Sequence, residues 1–190
     1  MIIGITGGTG CGKTTLLKEI EAKGGLVLDC DAIYHDLLTR DGVLLSAIDA
    51  RFPGVVEEGQ LQRKKLGAIV FADPDALADL NTITHGAVKA EVLCRLETAP
   101  ELAAIDAIAL FEGGLAELCD MTVAVTAPAE IRVERLMARD GISREYAQNR
   151  IAAQHEESWF ARRCGRVLRN DGTVAEFQEK CRGFLEEIGV

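Results

Sequence analysis

The 190-residue chain lacks the features that mark membrane, exported and nucleic-acid-binding proteins. No apolar run approaches the ~20 residues that a membrane-spanning helix needs. A net charge of −9 disfavours non-specific nucleic-acid binding, which needs a basic surface to displace counterions. The first apolar run starts at Met1, which leaves no room for a charged leader before it. We therefore expect a cytoplasmic protein without membrane or nucleic-acid partners. We also expect a monomer.

Two further absences exclude particular kinds of site. The six cysteines include no C-x-x-C pair and no regular spacing for zinc, so we interpret them as reduced thiols. A GTPase switch would need an N-K-x-D motif to recognise guanine and a D-x-x-G motif to sense the γ-phosphate. Neither motif occurs in the chain. The sequence thus disfavours both a structural zinc site and a GTPase.

Strand-like and helical segments alternate along the chain, which is typical of a parallel α/β sheet. The expected strands are Ile2–Thr6, Leu26–Asp29, 107–112, Met121–Thr126 and 166–170. The middle three are almost continuously apolar, as strands covered by helices on both faces should be. Thr173 and Glu176 form a capping-box pattern that predicts a final helix. The sequence therefore predicts a doubly wound, five-stranded parallel sheet.

Two helical insertions interrupt this pattern. The first has no convincing strand but several turn signals, among them Asp41 with Gly42. In the second, Gly141 and Ser143 indicate a helix end followed by a new N-cap. The predicted parts are a nucleotide-binding core (1–31, 101–127 and 166–190), a helical substrate-binding insertion (32–100) and a lid (128–165).

Residues 7–14 match the P-loop motif G-x-x-x-x-G-K-[ST] between the first strand and a helix. The glycines allow backbone N–H groups to surround phosphate oxygens, and the following helix adds the positive end of its dipole. Lys13 can reach the β- and γ-phosphates, and the Thr14 hydroxyl can bind Mg²⁺. The motif therefore predicts an enzyme that binds ATP with magnesium.

Asp31 follows the second predicted strand and is a candidate to accept the proton of the attacking hydroxyl. Ligands of doubly wound sheets bind beyond the carboxyl ends of strands, where we expect Asp31, Glu112 and the P-loop to converge. The alternative is that Asp31 merely caps the helix that follows. Glu112 is the next candidate for the proton acceptor.

An arginine-rich stretch lies between residues 130 and 170, which contain nine arginines and six acidic residues. Arg132, Arg135 and Arg139 are spaced i, i+3 and i+7, which places them along one helix face. Such a row could close over a triphosphate and stabilise charge during transfer. The alternative is an exposed helix with ion pairs, starting with Glu130 and Glu134.

Several motifs in order make the sequence resemble the dephospho-coenzyme A kinase family over nearly its whole length. They are IGITGGTGCGKTT, VLDCDAIYHDLL, GQLQRKKLGAIVF, LNTITH, ALFEGGL, RLMARDGIS, Gln154 and VLRNDG. The resemblance implies ATP and Mg²⁺, and dephospho-coenzyme A as the substrate whose ribose 3′-hydroxyl is phosphorylated. A nucleoside or nucleoside-monophosphate kinase is the nearest alternative, since it shares the P-loop, lid and acceptor insertion.

The resemblance also implies roles for individual residues. Asp31 would be the base, Arg135 and Arg139 would belong to the lid, and Arg63 and His85 would lie in the substrate region with Glu112. The expected nucleotide-binding residues are Gly8, Thr9, Gly10, Cys11, Gly12, Lys13, Thr14, Thr15, Arg139, Asn170 and Gly172. Three positions depart from the family pattern, namely Cys11, Gly86 and Gly165.

Overall fold

The computed structural model describes residues 1–40 and 42–190, so Asp41 of the predicted turn lies outside the described residues. The strands are β1 (Ile2–Thr6), β2 (Leu26–Asp29), β3 (Val56–Glu57), β4 (Gln60–Leu61), β5 (Ala103–Asp106), β6 (Met121–Thr126) and β7 (Arg166–Arg169). The α-helices are α1 (Lys13–Ala22), α2 (Cys30–Arg40), α3 (Val43–Arg51), α4 (Arg63–Val70), α5 (Pro74–Leu96), α6 (Ala129–Asp140), α7 (Arg144–Ala152), α8 (Glu157–Arg163) and α9 (Val174–Glu187).

The main sheet has five strands in the order β2-β5-β1-β6-β7. Its centre is β1, which pairs in parallel with β5 on one side and with β6 on the other. The pairing of β6 with β7 is also parallel. The predicted five-stranded α/β sheet is confirmed, and β1, β2 and β6 have the predicted bounds.

The core of the sheet lies against α1 and α9. Ile3 and Ile5 of β1 are fully buried, and Phe177 and Phe184 of α9 belong to the same apolar cluster. The predicted capping box at the start of α9 is present, because Thr173 and Glu176 bond reciprocally to each other's backbone N–H. This cap fixes the start of the helix that closes the core.

The strand predicted at 107–112 was wrong, because the strand is β5, at Ala103–Asp106. The register pairs Ile5 of β1 with Asp106, and Ala107 N still donates to Ile5 O at 3.1 Å. β1 ends at Thr6, where the P-loop begins, and its pairing with β5 ends at Ile5 and Asp106. The apolar run continues past this point, so hydrophobicity alone could not locate the end of the strand.

The prediction of no strand within 32–100 was also wrong. Strands β3 and β4 form a short antiparallel hairpin, with Glu57 paired to Gln60. Its two connecting residues, Glu58 and Gly59, both have positive φ (51° and 73°), as a type I′ turn requires. A Glu-Gly pair is a weak signal for that turn, which explains why the sequence did not reveal it.

The chain forms two compact units. The first comprises Met1–Leu28, Ala99–Leu110 and Leu115–Val190, and the second comprises Asp29–Thr98 and Phe111–Gly114. In the second unit, α5 packs against α2, α3 and α4. The separate lid remains a prediction. No helix among residues 1–40 and 42–190 is both long and apolar enough to cross a membrane.

Candidate active site

The loop from β1 to α1 ends in an uncapped helix N-terminus. Gly7, Gly10 and Gly12 have positive φ, which β-carbon-bearing residues rarely adopt. Gly12 occupies the N-cap position of α1 and has no side chain that could cap the helix. The first N–H groups of α1 and the positive end of its dipole are therefore available to an anion.

Two loop glycines lie in close contact with polar side chains. A β-carbon on Gly8 would lie 2.2 Å from Nη2 of Arg132, and one on Gly12 would lie 2.2 Å from Nδ2 of Asn170. Both distances are far below van der Waals contact. The loop backbone thus packs directly against polar side chains, and its shape depends on them.

Lys13 begins α1 and turns back toward the loop. Its Nζ donates to Gly7 O at 3.1 Å and lies 3.9 Å from Oδ1 of Asp106. Asp106 is the last residue of β5, at the carboxyl edge of the sheet. Sequence reasoning missed Asp106 because it placed the strand too late, although a single acid within an apolar run was a usable signal.

Two side chains with oxygen atoms in the first unit suit a magnesium ion that also binds a nucleotide. Thr14 is exposed, and the Asp106 carboxylate is near Lys13. No group of three or more His, Cys, Asp or Glu side chains among the described residues could hold a metal alone. Mg²⁺ commonly binds through one or two protein oxygens together with substrate phosphates, so this donor set fits it.

Arg135 and Asn170 hold the P-loop from the side of α6 and β7. Asn170 is 4% exposed, and its Nδ2 donates to Cys11 O at 2.9 Å. Arg135 donates from Nη2 to Asn170 Oδ1 at 3.0 Å and from Nη1 to Gly10 O at 3.4 Å. These contacts use carbonyl groups of the loop and none of its N–H groups.

Thr9 has a second set of partners. Arg132 Nε donates to Thr9 O at 2.8 Å, and Thr9 N donates to Oε1 of Gln154 at 2.8 Å. Nε2 of Gln154 also donates to the Thr9 hydroxyl at 2.7 Å. Nothing in the sequence assigned Gln154 this contact, because its partner is 145 residues away.

Arg139 does not contact the loop. It forms a two-point ion pair with Asp140, which also accepts from Arg150 at 2.7 Å. The hydrogen bond from Arg139 is the main reason that the pKa of Asp140 falls to about 2. Glu130 is ion-paired as well, with Arg144. The arginine row therefore divides, with its first two members on the P-loop and the third on the exposed surface.

The thiol of Cys11 is a poor nucleophile. It is 1% exposed, and burial raises its pKa above the ordinary value, partly offset by the charge of Lys13. A thiol in this state packs as a small apolar group. Gly172, the remaining predicted nucleotide contact, is exposed beside the α9 cap, where a β-carbon would meet Glu176 at 2.5 Å.

In the second unit, Asp31 lies in the first turn of α2. The carboxylate that caps this helix belongs to Asp29, whose Oδ1 accepts from Ala32 N at 3.0 Å. Asp31 is exposed, and its carboxylate has no hydrogen bond or ion pair with any described residue. The capping alternative considered for Asp31 therefore applies to Asp29.

The predicted substrate residues of the second unit occupy different elements. Arg63 at the start of α4 contacts the ring of His35, with Nη2 3.2 Å from Nδ1. His35 had not been singled out in the sequence. His85 is half-buried in the middle of α5, and Glu112 is exposed in the turn after β5.

Comparisons with known proteins agree over nearly the whole chain. A model of the dephospho-CoA kinase family matches residues 1–176. The dephospho-CoA kinase of Moorella thermoacetica is 37% identical over 194 residues, which cover 98% of this chain and 92% of that relative. The TT1252 crystal structure from Thermus thermophilus has a TM-score of 0.83 at 34% identity, covering 100% and 98% of the two chains.

Another similar solved structure is named as a dephospho-CoA kinase. Dephospho-CoA kinase from Campylobacter jejuni matches with a TM-score of 0.69 at 25% identity, covering 98% of this chain and 96% of its own. These similarities agree with the P-loop and the parallel sheet. The chain belongs to the dephospho-CoA kinase family.

Proposed function

We propose that the chain transfers the γ-phosphoryl group of ATP to the ribose 3′-hydroxyl of dephospho-CoA, giving CoA and ADP. The observation that carries this proposal is the glycine-rich loop that opens α1 without a side-chain cap, with Lys13 beside it. That arrangement is an anion site for phosphates. Membership in the dephospho-CoA kinase family indicates dephospho-CoA as the acceptor.

The nucleotide would bind through the P-loop and the segment after β7. Backbone N–H groups of the P-loop that are not bonded within the protein would surround the phosphates, and Lys13 would exchange its present contacts for the β- and γ-phosphate oxygens. Asn170 and Gly172 would flank the adenine. The observed bond from Asn170 to the loop supports this placement, since the same side chain would then link the phosphate and base sites.

Magnesium would be held by Thr14 and Asp106 together with phosphate oxygens. When bound, it neutralises charge that develops on the phosphates during transfer. Thr14 would contribute its hydroxyl, and Asp106 would bind directly or through water. The chemistry of these two ligands, both oxygen donors at the end of a strand and the start of a helix, supports the proposal.

Asp31 would orient the acceptor hydroxyl and take its proton. A bond forms between the ribose oxygen and the γ-phosphorus, the bond from that phosphorus to the β,γ-bridging oxygen breaks, and ADP leaves. In a loose transition state the hydroxyl keeps its proton until late, so orientation is the first task of the carboxylate. The exposed carboxylate of Asp31, with Asp29 already capping the helix, supports this role.

The remaining substrate contacts are assigned by the resemblance. Arg63, His85 and Glu112 would bind the acceptor, and an exposed guanidinium such as that of Arg63 suits the acceptor's diphosphate. Arg135 and Arg139 would stabilise the transferring phosphoryl group. For Arg139 this requires that its ion pair with Asp140 break. That ion pair is exposed and therefore weak.

An acceptor panel tests the proposal. The purified chain is given ATP and Mg²⁺ with dephospho-CoA, CMP, AMP or uridine, and ADP formation is followed by a coupled assay. Dephospho-CoA should give the highest kcat/KM. A clear preference for CMP, AMP or uridine would instead identify a nucleoside or nucleoside-monophosphate kinase.

A further inference from the structure

Arg132 is a buried arginine with only neutral hydrogen-bond partners. Its side chain is 6% exposed, and its guanidinium donates to Thr9 O and, from Nη2 at 2.9 Å, to Oε1 of Gln154. It has no ion pair with any carboxylate in the described residues. By contrast, Arg139 and Arg144 of the same region each bond to an acidic side chain.

A buried charge without a counter-charge is costly, because the protein interior solvates it poorly. Burial lowers the pKa of Arg132 below its ordinary value, although an arginine stays protonated at any physiological pH. Glu157 attracts Arg132 at longer range. Glu157 is itself bonded to Arg169, so it does not fully compensate Arg132. Among the described carboxylates, only Glu157 offsets the charge of Arg132, and it does so at longer range and in part.

The position of this charge is fixed by Gln154. One carboxamide holds three groups at once, since Oε1 accepts from both Thr9 N and Arg132 while Nε2 donates to the Thr9 hydroxyl. The guanidinium also lies so close to the loop that a β-carbon on Gly8 would meet Nη2 at 2.2 Å and Cζ at 2.6 Å. No room remains for water between Arg132 and the backbone of residue 8, so screening there is weak.

We propose that Arg132 is a positioning residue that supplies a fixed, buried positive charge behind the P-loop, and that this charge strengthens the binding of a nucleotide's phosphate groups through the loop. The proposal rests on the phosphate-binding role of the loop given under "Proposed function". A bound diphosphate or triphosphate supplies the negative charge that the apo protein lacks at this point. Gln154 and Thr9 keep the guanidinium in place in both states.

The proposal predicts that affinity for phosphates, and not for the nucleoside, depends on the charge of Arg132. We would compare wild type with Arg132→Gln, and use Arg144→Gln as the matched control, because it removes the same charge from an exposed residue of the lid region. The Kd of ADP is measured by calorimetric titration and that of adenosine by displacement of ADP.

Arg132→Gln should weaken ADP binding by about tenfold or more, as one charge a few ångströms from a diphosphate at an effective dielectric constant near 20 implies. Adenosine affinity should stay close to the wild-type value, and Arg144→Gln should change neither. Unchanged ADP affinity in Arg132→Gln would overturn the proposal, and so would an equal loss for ADP and adenosine, which indicates general damage to the site.

A second variant covers the case in which Arg132→Gln does not fold. Arg132→Lys keeps the charge while losing the forked hydrogen bonds, so it should lower the melting temperature yet keep most of the ADP affinity. A folded Arg132→Lys that loses about tenfold or more in ADP affinity would contradict a role for the charge. Failure of the wild type to bind ADP would instead reject the proposed function itself, so the two failures are distinguishable.

Discussion

Replacing Asp31 with asparagine tests whether its carboxylate is catalytic or only structural. Asp31→Asn keeps the size of the side chain but removes its charge and its ability to take a proton. The side chain is exposed and has no described partner, so the free energy of unfolding should change by no more than about 0.5 kcal/mol. Loss of a general base typically lowers rate by ~10²- to 10⁴-fold, or about 3 to 5 kcal/mol in the activation barrier.

The assay measures three quantities on the same preparation. Steady-state kinetics with dephospho-CoA gives kcat, calorimetry gives the Kd of ATP, and thermal unfolding gives the melting temperature. We expect kcat to fall by at least ~10²-fold. ATP affinity and the melting temperature should stay close to wild type.

Asp29 provides the matched control, because it lies two residues earlier and its carboxylate caps α2. Asp29→Asn should keep both stability and kcat, since asparagine caps helices about as well as aspartate. Asp29→Ala should lose about 1 kcal/mol of stability. An unchanged kcat in Asp31→Asn would refute the assignment of Asp31 as base and leave Glu112 as the next candidate.

Two other predictions concern the phosphate site and a surface ion cluster. Lys13→Ala should lower kcat/KM by ~10²-fold or more, since it removes a positioned charge from the developing phosphoryl charge; near wild-type turnover would exclude the role of Lys13. The hydrogen bond from Arg40, with that from Arg95, lowers the pKa of Glu91 to about 2. The stabilisation by Glu91 is therefore complete above the unfolded carboxyl pKa of about 4.3 and is lost as pH falls through about 2. Melting curves of wild type and Glu91→Gln should converge over that range, and a gap that does not depend on pH would contradict the ion cluster.

Local patterns predicted most of the fold. The P-loop motif, the alternation of strands and helices, and the capping box of Thr173 each depend on nearby residues, and each has the predicted form in the structure. The strand at Ala103–Asp106 was misplaced because its end is set by pairing with β1, which is a long-range contact. The β3–β4 hairpin was missed because Glu58 adopts a positive φ that its residue type does not suggest.

The candidate site was predictable only in part. Lys13 and Thr14 follow from the motif itself, since their roles are fixed by their positions in the loop. The partners of the loop are different, because Arg132 and Gln154 contact Thr9 across separations of 123 and 145 residues in the sequence. Helical spacing placed Arg132 and Arg139 on one face, but it could not show that the first is buried and the second is bonded to Asp140.

We propose above that the chain phosphorylates dephospho-CoA at the ribose 3′-hydroxyl with ATP. The most direct test is to incubate the chain with ATP, Mg²⁺ and dephospho-CoA, and to quantify ADP and the acceptor product by chromatography and mass spectrometry, with ³¹P NMR to locate the new phosphate. We predict one CoA for each ADP, with the new phosphate on the 3′-oxygen. ADP without CoA, or a phosphate at any other position of the acceptor, would contradict the account.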